Sequence, residues 1–152
     1  MSKKNKQHKK NIEASNTPST SQIKPIEQST IPYQQEYLTF SLGFLHNKYS
    51  LNLKNCTPQN VKSLVKKISL LCNLKWYQIE SSPREKTGYE KIPLSQIKVK
   101  KPINFPNEIT EDIERIMVFR YNNENSRFAG IRIRSTLYVW YIDPNLTLYR
   151  TH

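Results

Sequence analysis

This 152-residue chain predicts an α+β domain, a mostly antiparallel sheet of five to six strands with two to three helices packed on one face. Three observations carry the prediction. Apolar residues alternate with period two around Phe40 and again in consecutive runs after Ile116. One clear helical repeat lies between these regions, and the later runs are joined by short connections. Short links between successive strands make antiparallel neighbours.

Residues 1–36 stand apart. They are almost all Lys, Gln, Asn, Ser, Thr and Pro, with isoleucines at no regular spacing. Such a stretch cannot bury enough apolar surface to offset its chain entropy. A disordered basic tail is therefore expected over 1–36 and a single domain over 37–152. The cluster from Lys3 to Lys10 could grip an anion loosely or act only as a solubilising extension.

The domain opens with "YLTFSLGFLHNKYSLNL". Leu38, Phe40, Leu42 and Phe44 alternate, and Tyr49, Leu51 and Leu53 resume the pattern after a polar break, which predicts an antiparallel hairpin. Thr57 then stands where an N-cap is expected, with Pro58 at the first helical position, where its missing N–H costs nothing. Val61, Leu64, Val65, Ile68 and Leu71 follow at helical spacing. Asn73 is expected to cap a second short helix over "LKWYQIESS", stopped by Pro83. "PREKTGYEKIPLSQIKVKKP" reads as a charged loop, and "TEDIERI" as one or two helical turns with Glu111 and Asp112 near the positive helix start. Strands are predicted for "IMVFRYN", "RFAGIRIR" and "LYVWYID", with a hairpin turn around Ser135-Thr136, and a last short strand for "LTLYRTH".

Charge narrows the function. Lys and Arg number 24 against 12 Asp and Glu, and from Tyr37 onward 18 still stand against 9, so the folded surface itself is basic. A polyanionic partner fits this balance: RNA or the ribosome, or an acidic protein of the antitoxin kind. The plainer reading is a lysine-rich composition without a polyanionic partner. No run approaches the ~18 apolar residues of a membrane span, and no apolar segment follows the basic amino terminus as a signal peptide requires. A cytoplasmic protein with no membrane partner is expected. Cys56 and Cys72 flank the first helix, which at ~1.5 Å per residue holds them ~24 Å apart, beyond the ~7 Å a disulfide tolerates. His8, His46 and His152 are scattered, so no zinc site, metal or other cofactor is implied. With only three glycines the chain has no phosphate-binding glycine loop.

Basic and aromatic residues concentrate in the second half. Arg84, Glu90, Arg120, Arg132, Tyr149 and His152 form the candidate catalytic set. Lys86, Lys91, Lys98, Lys100, Lys101, Arg127, Arg134 and Tyr138 form the candidate RNA-binding set. Alternation puts Arg132 and Arg134 on one face of a strand and Ile131 and Ile133 on the other, and a closed hairpin would bring Tyr138 and Trp140 near the arginine row. Guanidinium groups clamp phosphates and flat rings stack unpaired bases. Metal-independent RNA cleavage would need a base for the 2′-hydroxyl proton, a cation for the charge growing on phosphorus and an acid for the leaving oxygen. Glu90, His46 or His152 could exchange protons, and Arg84, Arg120 or Arg132 could supply charge. The structural readings stand beside these: Trp140 and Tyr141 as core, the arginine row as a solvated face, and Asp143-Pro144 as a turn.

Two stretches, "SSPREKTGYEKIP" with "ITEDIERIMVFRYN" and then "RFAGIRIRSTLYVWYIDPNLTLYRTH", resemble a family of small bacterial proteins. Its pattern joins a P-R-x-x-x-G-x-E-K-I loop, an F-R-[FY] strand, a G-x-R hairpin and an ending W-x-D-x-x-x-x-L-Y-x-H. Here Pro83, Arg84, Gly88, Glu90, Lys91 and Ile92 match the loop, Phe119 and Arg120 the strand, Gly130 and Arg132 the hairpin, and Asp143, Leu148, Tyr149 and His152 the ending. The chain departs at Glu85, where the family loop carries histidine, and at Tyr141, where tryptophan is expected. The resemblance covers about Phe40 to His152 and brings no assigned activity. At the level of topology the chain is also similar to the RelE/HigB-like toxins, small basic α+β domains. That likeness implies mRNA cleavage by basic and aromatic residues on a sheet face. Together these readings suggest an RNA-directed toxin or phage-defence protein, a metal-independent endoribonuclease, with a non-catalytic RNA- or ribosome-binding module or an interaction domain for an acidic partner as alternatives.

Overall fold

The computed structural model describes residues 31–51, 54, 56–106, 113–122 and 125–150. Most of the expected tail, Leu53, the start of "TEDIERI" and His152 lie outside the described residues. Among the described residues five strands and two α-helices are formed: β1 (Thr39–Ser41), α1 (Pro58–Cys72), α2 (Trp76–Glu80), β2 (Glu90–Pro93), β3 (Arg115–Asn122), β4 (Ser126–Ile133) and β5 (Thr136–Asp143). The sheet order is β1-β5-β4-β3-β2. β1 runs parallel to β5 while the other pairs are antiparallel, so the α+β reading holds and the sheet is mixed.

The first helix forms as its sequence dictates. The Thr57 Oγ1 accepts the Asn60 N–H at 3.2 Å, Pro58 opens the first turn, and Leu64 and Leu71 are buried. The second is shorter than expected and starts after Lys75, not Asn73; the Gln78 side chain turns back to accept the Lys75 N–H at 2.9 Å. Cys56 and Cys72 are both free thiols.

Four expectations change. The segment from Tyr49 to Leu51 forms no strand, because the edge of β5 offers both limbs of the supposed hairpin a better partner than each other. Beyond β1, the His46 N–H donates to the Trp140 carbonyl and the Ile142 N–H donates to the Tyr49 carbonyl, both at 2.7 Å, so the loop closes hydrogen bonds an open edge would leave unmade. Part of the charged loop, Glu90–Pro93, becomes edge strand β2 against β3. In "TEDIERI", Arg115 and Ile116 are already strand. The chain after Asp143 makes turns and no strand through Arg150, because the Asp143 carboxylate collects that backbone's N–H groups.

The hairpin of β4 and β5 turns at Arg134-Ser135, one residue earlier than read, with Arg134 in the left-handed region at φ 56°. A bulge in β5 pairs Ala129 with Tyr141 but Gly130 with Val139, leaving Trp140 as the extra residue. Two consecutive aromatic side chains, Trp140 and Tyr141, therefore enter the same core. Gly130 faces this bulge, where a Cβ would overlap the Tyr138 carbonyl oxygen.

Both faces of the sheet are covered. Met117, Phe119, Phe128, Leu137, Val139 and Ile142 pack against Leu64, Leu71, Trp76 and Ile79 from the helices. On the other face Ile116, Val118, Ala129, Ile131, Trp140 and Tyr141 pack beneath Ile97, Phe105, Leu148 and Tyr149 from three loops. Helices on one face, as expected, leave the second face to irregular chain, and the candidate site lies at one end of that second layer.

Candidate functional site

Cross-strand register assembles the site. Glu90 on β2 is opposite Val118, and one step further along the sheet Arg120 on β3 is opposite Arg127, itself opposite Asp143 on β5. Partners across antiparallel strands share a face. Val118 and Ala129 belong to the loop-covered core, so Glu90, Arg120, Arg127 and Asp143 all lie on that side. Tyr149 completes the group from the carboxy-terminal segment: its hydroxyl donates to Glu90 Oε1 at 3.0 Å. Arg84 Nη1 donates to Glu90 Oε2 at 3.0 Å, and its Nε donates to Glu85 at 2.8 Å.

Each of these side chains is placed by local chemistry. Arg84 and Glu85 ride on the 82–88 turn. There Lys86 and Gly88 both donate backbone N–H groups to the Pro83 carbonyl at 3.0 Å, and the Ser82 and Thr87 hydroxyls meet at 2.7 Å. Gly88 is required, since a Cβ would overlap the Ser82 carbonyl oxygen. The Lys67 ammonium of α1 donates to the Lys86 carbonyl and ties the turn to the helix; burial pushes its pKa down. Asp143 is 1% exposed, and its Oδ2 accepts the N–H groups of Thr147 and Leu148, each at 2.7 Å. That clamp delivers Tyr149 to Glu90.

The electrostatics divide the group in two. Arg84 is satisfied: the hydrogen bond it donates to Glu85 and then the charge of Glu90 raise its pKa, and the same hydrogen bond holds Glu85 below the usual carboxylate range. Burial, reinforced by the Glu90 charge, pushes the Tyr149 phenol up to about 12, with the nearby Arg127 pulling the other way, so the phenol stays protonated at neutral pH. The Arg120–Arg127 pair is satisfied only in part. Arg127 is 2% exposed, its Nη1 donates to the Ser126 carbonyl at 3.1 Å, and its Nε has no hydrogen-bond partner. The Arg120 Nε is likewise buried without a partner. Like charges directly opposite on a sheet repel, and a buried unpaired donor costs on the order of 1–3 kcal/mol.

Four of the six residues read as catalytic, Arg84, Glu90, Arg120 and Tyr149, thus come together. Arg132 does not join them. It points to the helix-covered face, where its Nη1 donates to Glu80 at 2.7 Å and its guanidinium lies 4.4 Å from the Tyr33 ring and 4.6 Å from the Trp76 ring. Arg134 is held by Glu36 at 2.6 Å in the hairpin turn. These contacts dock residues 31–36 on the domain. Tyr138 is opposite Ile131, not in the arginine row, and packs near Phe44 and Phe105. Trp140 is likewise core on that side. Of the remaining basic candidates, Lys86, Lys91, Lys98 and Lys100 are exposed and Lys101 is partly buried. His46 sits by Tyr49 and Tyr141 on the β5 side, with its pKa lowered by burial and by Lys48.

The sequence reading placed Arg127 only among surface RNA contacts and missed its burial. The signal was available: Arg120 and Arg127 flank a tight turn at positions that pair across the hairpin. It also missed Lys67 and Glu85 as placing groups. Of two concavities of about 250 Å³, one, lined by Tyr49, Asp143 and Thr147, borders the site at Asp143, and the other is lined by His46, Pro102 and Asn104. Among the described residues no group of three or more His, Cys, Asp and Glu could hold a metal ion, and no helix is long and apolar enough to cross a membrane. No protein-family model, no curated protein and no solved structure matches this chain.

Proposed function

We propose that the protein acts on RNA as a metal-independent endoribonuclease of the toxin or phage-defence type, centred on Glu90. The observation that carries this reading is the placement of a cation and a protonated phenol on the two oxygens of one carboxylate, Arg84 and Tyr149 each at 3.0 Å, in a basic body. In the proposed step the 2′-oxygen of a ribose attacks the adjacent phosphorus while Glu90 accepts its proton. The bond to the 5′-oxygen breaks, leaving a 2′,3′-cyclic phosphate. Tyr149 protonates the departing 5′-oxygen and recovers a proton from Glu90 across their hydrogen bond, which restores the site. Neighbouring arginines stabilise charge on the phosphoryl oxygens, the effect that contributes most in such reactions.

Purified protein incubated with single-stranded RNA and with translating ribosomes, with and without a chelator, tests this. Cleavage to cyclic-phosphate ends that Glu90→Gln lowers by roughly 10²-fold or more is expected; intact RNA under every condition rejects catalysis. One observation favours a second reading, a non-catalytic RNA- or ribosome-binding module. Both Glu90 oxygens are already engaged, which suits a structural carboxylate. That module binds RNA with a steep salt dependence and leaves it uncut.

A further inference from the structure

Among the described residues neither Arg120 nor Arg127 forms an ion pair, although the charge of Glu85 reaches Arg120 and Asp143 stands opposite Arg127, and the Nε of each arginine is buried without a partner. Arg84, on the other side of Glu90, shows what satisfaction looks like here: two carboxylates meet its guanidinium. Arg120 forms no ion pair or hydrogen bond among the described residues, and its Nε is buried. Arg127 is 2% exposed, spends one nitrogen on its neighbour's carbonyl and also acts on the Tyr149 phenol by charge and hydrogen bond, which leaves its Nε without a partner. The carboxylate opposite Arg127, Asp143, turns its oxygens to the N–H groups of residues 147 and 148 and to the Thr147 hydroxyl at 3.1 Å, so it contributes charge to the arginine but no hydrogen bond. Two arginines opposite each other on neighbouring strands, each with an unpartnered Nε–H, match a tetrahedral oxyanion, because each planar fork can meet two oxygens. A carboxylate is planar and would satisfy one of the forks.

We infer that Arg120 and Arg127 form a phosphate seat, with buried Arg127 as its floor and partly exposed Arg120 as its mouth. That the phosphate belongs to RNA rests on the reading proposed above; the seat itself does not. It would hold either an internal phosphodiester or a terminal phosphate of the strand, and in both cases places that group beside Glu90 and Tyr149.

The test begins without RNA. Inorganic phosphate titrated into the full chain at constant ionic strength, followed by calorimetry and by thermal melting, should bind saturably at millimolar concentration or tighter. Arg120→Gln should weaken it at least tenfold. Arg127→Lys keeps the charge and guards against a misfolded Arg127→Ala; it should also weaken binding, since an ammonium cannot reproduce the fork. Lys66→Ala, on the exposed side of α1, should leave it unchanged. Phosphate that behaves like chloride, or binding unaffected by Arg120→Gln, overturns the seat. Single-stranded oligonucleotides with 5′-phosphate, 3′-phosphate or unphosphorylated ends then identify the source. Equal, Arg120-dependent binding of all three assigns the backbone, and a tenfold preference for one phosphorylated end assigns the terminus. Phosphate bound without any RNA binding keeps the seat and rejects the RNA reading. RNA bound equally by wild type and Arg120→Gln does the reverse.

Discussion

Arg127 and Arg132 stand on the same strand, and the pleat sends them to opposite faces of the sheet. Arg132 is enclosed by partners: a carboxylate from α2, an indole below and a phenol from the docked amino-terminal segment above. Arg127, more deeply buried, has a carbonyl and the Tyr149 phenol beside it, keeps a buried Nε without a partner and faces another arginine. Arginine is always charged, so the contrast lies wholly in the surroundings. A cation whose partners are built into the fold belongs to the structure. One buried without them leaves a cost that a ligand can recover, and such inconsistencies are where function is found in otherwise self-consistent folds.

The contrast between the faces can be broken in several ways. The greatest change is expected at alkaline pH, which reaches both. Tyr121 on the helix side and Tyr149 on the loop side each have phenols raised to about 12, chiefly by burial, against about 10 unfolded. Protonated phenol is the favoured folded form, so the full contribution is present below pH ~10 and is lost as pH rises toward ~12, roughly 2–3 kcal/mol for each group. Absorbance at the phenolate band during titration, with Tyr149→Phe removing one late step, checks it; two ordinary transitions near pH 10 refute it.

Next, Arg132→Ala should lower the unfolding free energy by roughly 2 kcal/mol, from the lost ring contacts and the stranded Glu80. Arg120→Ala should leave stability unchanged or raise it by up to about 1 kcal/mol by relieving like-charge repulsion. Urea melts of the two variants decide; equal losses would make Arg120 structural too. In RNA binding the order reverses. Arg120→Ala should weaken affinity roughly tenfold and flatten the salt slope by about 1, whereas Arg132→Ala, corrected for its folded fraction, should match wild type in the same titration. The smallest effect is local to the helix face: Thr57→Ala should cost about 1 kcal/mol through the lost cap and leave phosphate binding untouched.

Much of this was written in local sequence. The α1 boundaries follow from Thr57, Pro58 and the apolar repeat, and the β4–β5 hairpin follows from period-two alternation, because both depend on residues close in the chain. Four members of the site were also legible, since Arg84, Glu90, Arg120 and Tyr149 are polar groups in the half of the chain richest in strands and charge. Long-range competition settled the rest. Whether Tyr49–Leu51 pairs with β1 or lies along β5 depends on an edge that is distant in the chain, where Ile142 bonds the Tyr49 carbonyl. Trp140 and Tyr141 share a face only because a bulge at Gly130 shifts the register. The roles of the arginines were decided the same way: alternation assigns Arg127 and Arg132 to opposite faces, but only packing places Glu80, Trp76 and Tyr33 around one and leaves the other beside Arg120. Sequence specifies the charge, and the tertiary fold determines whether that charge is answered.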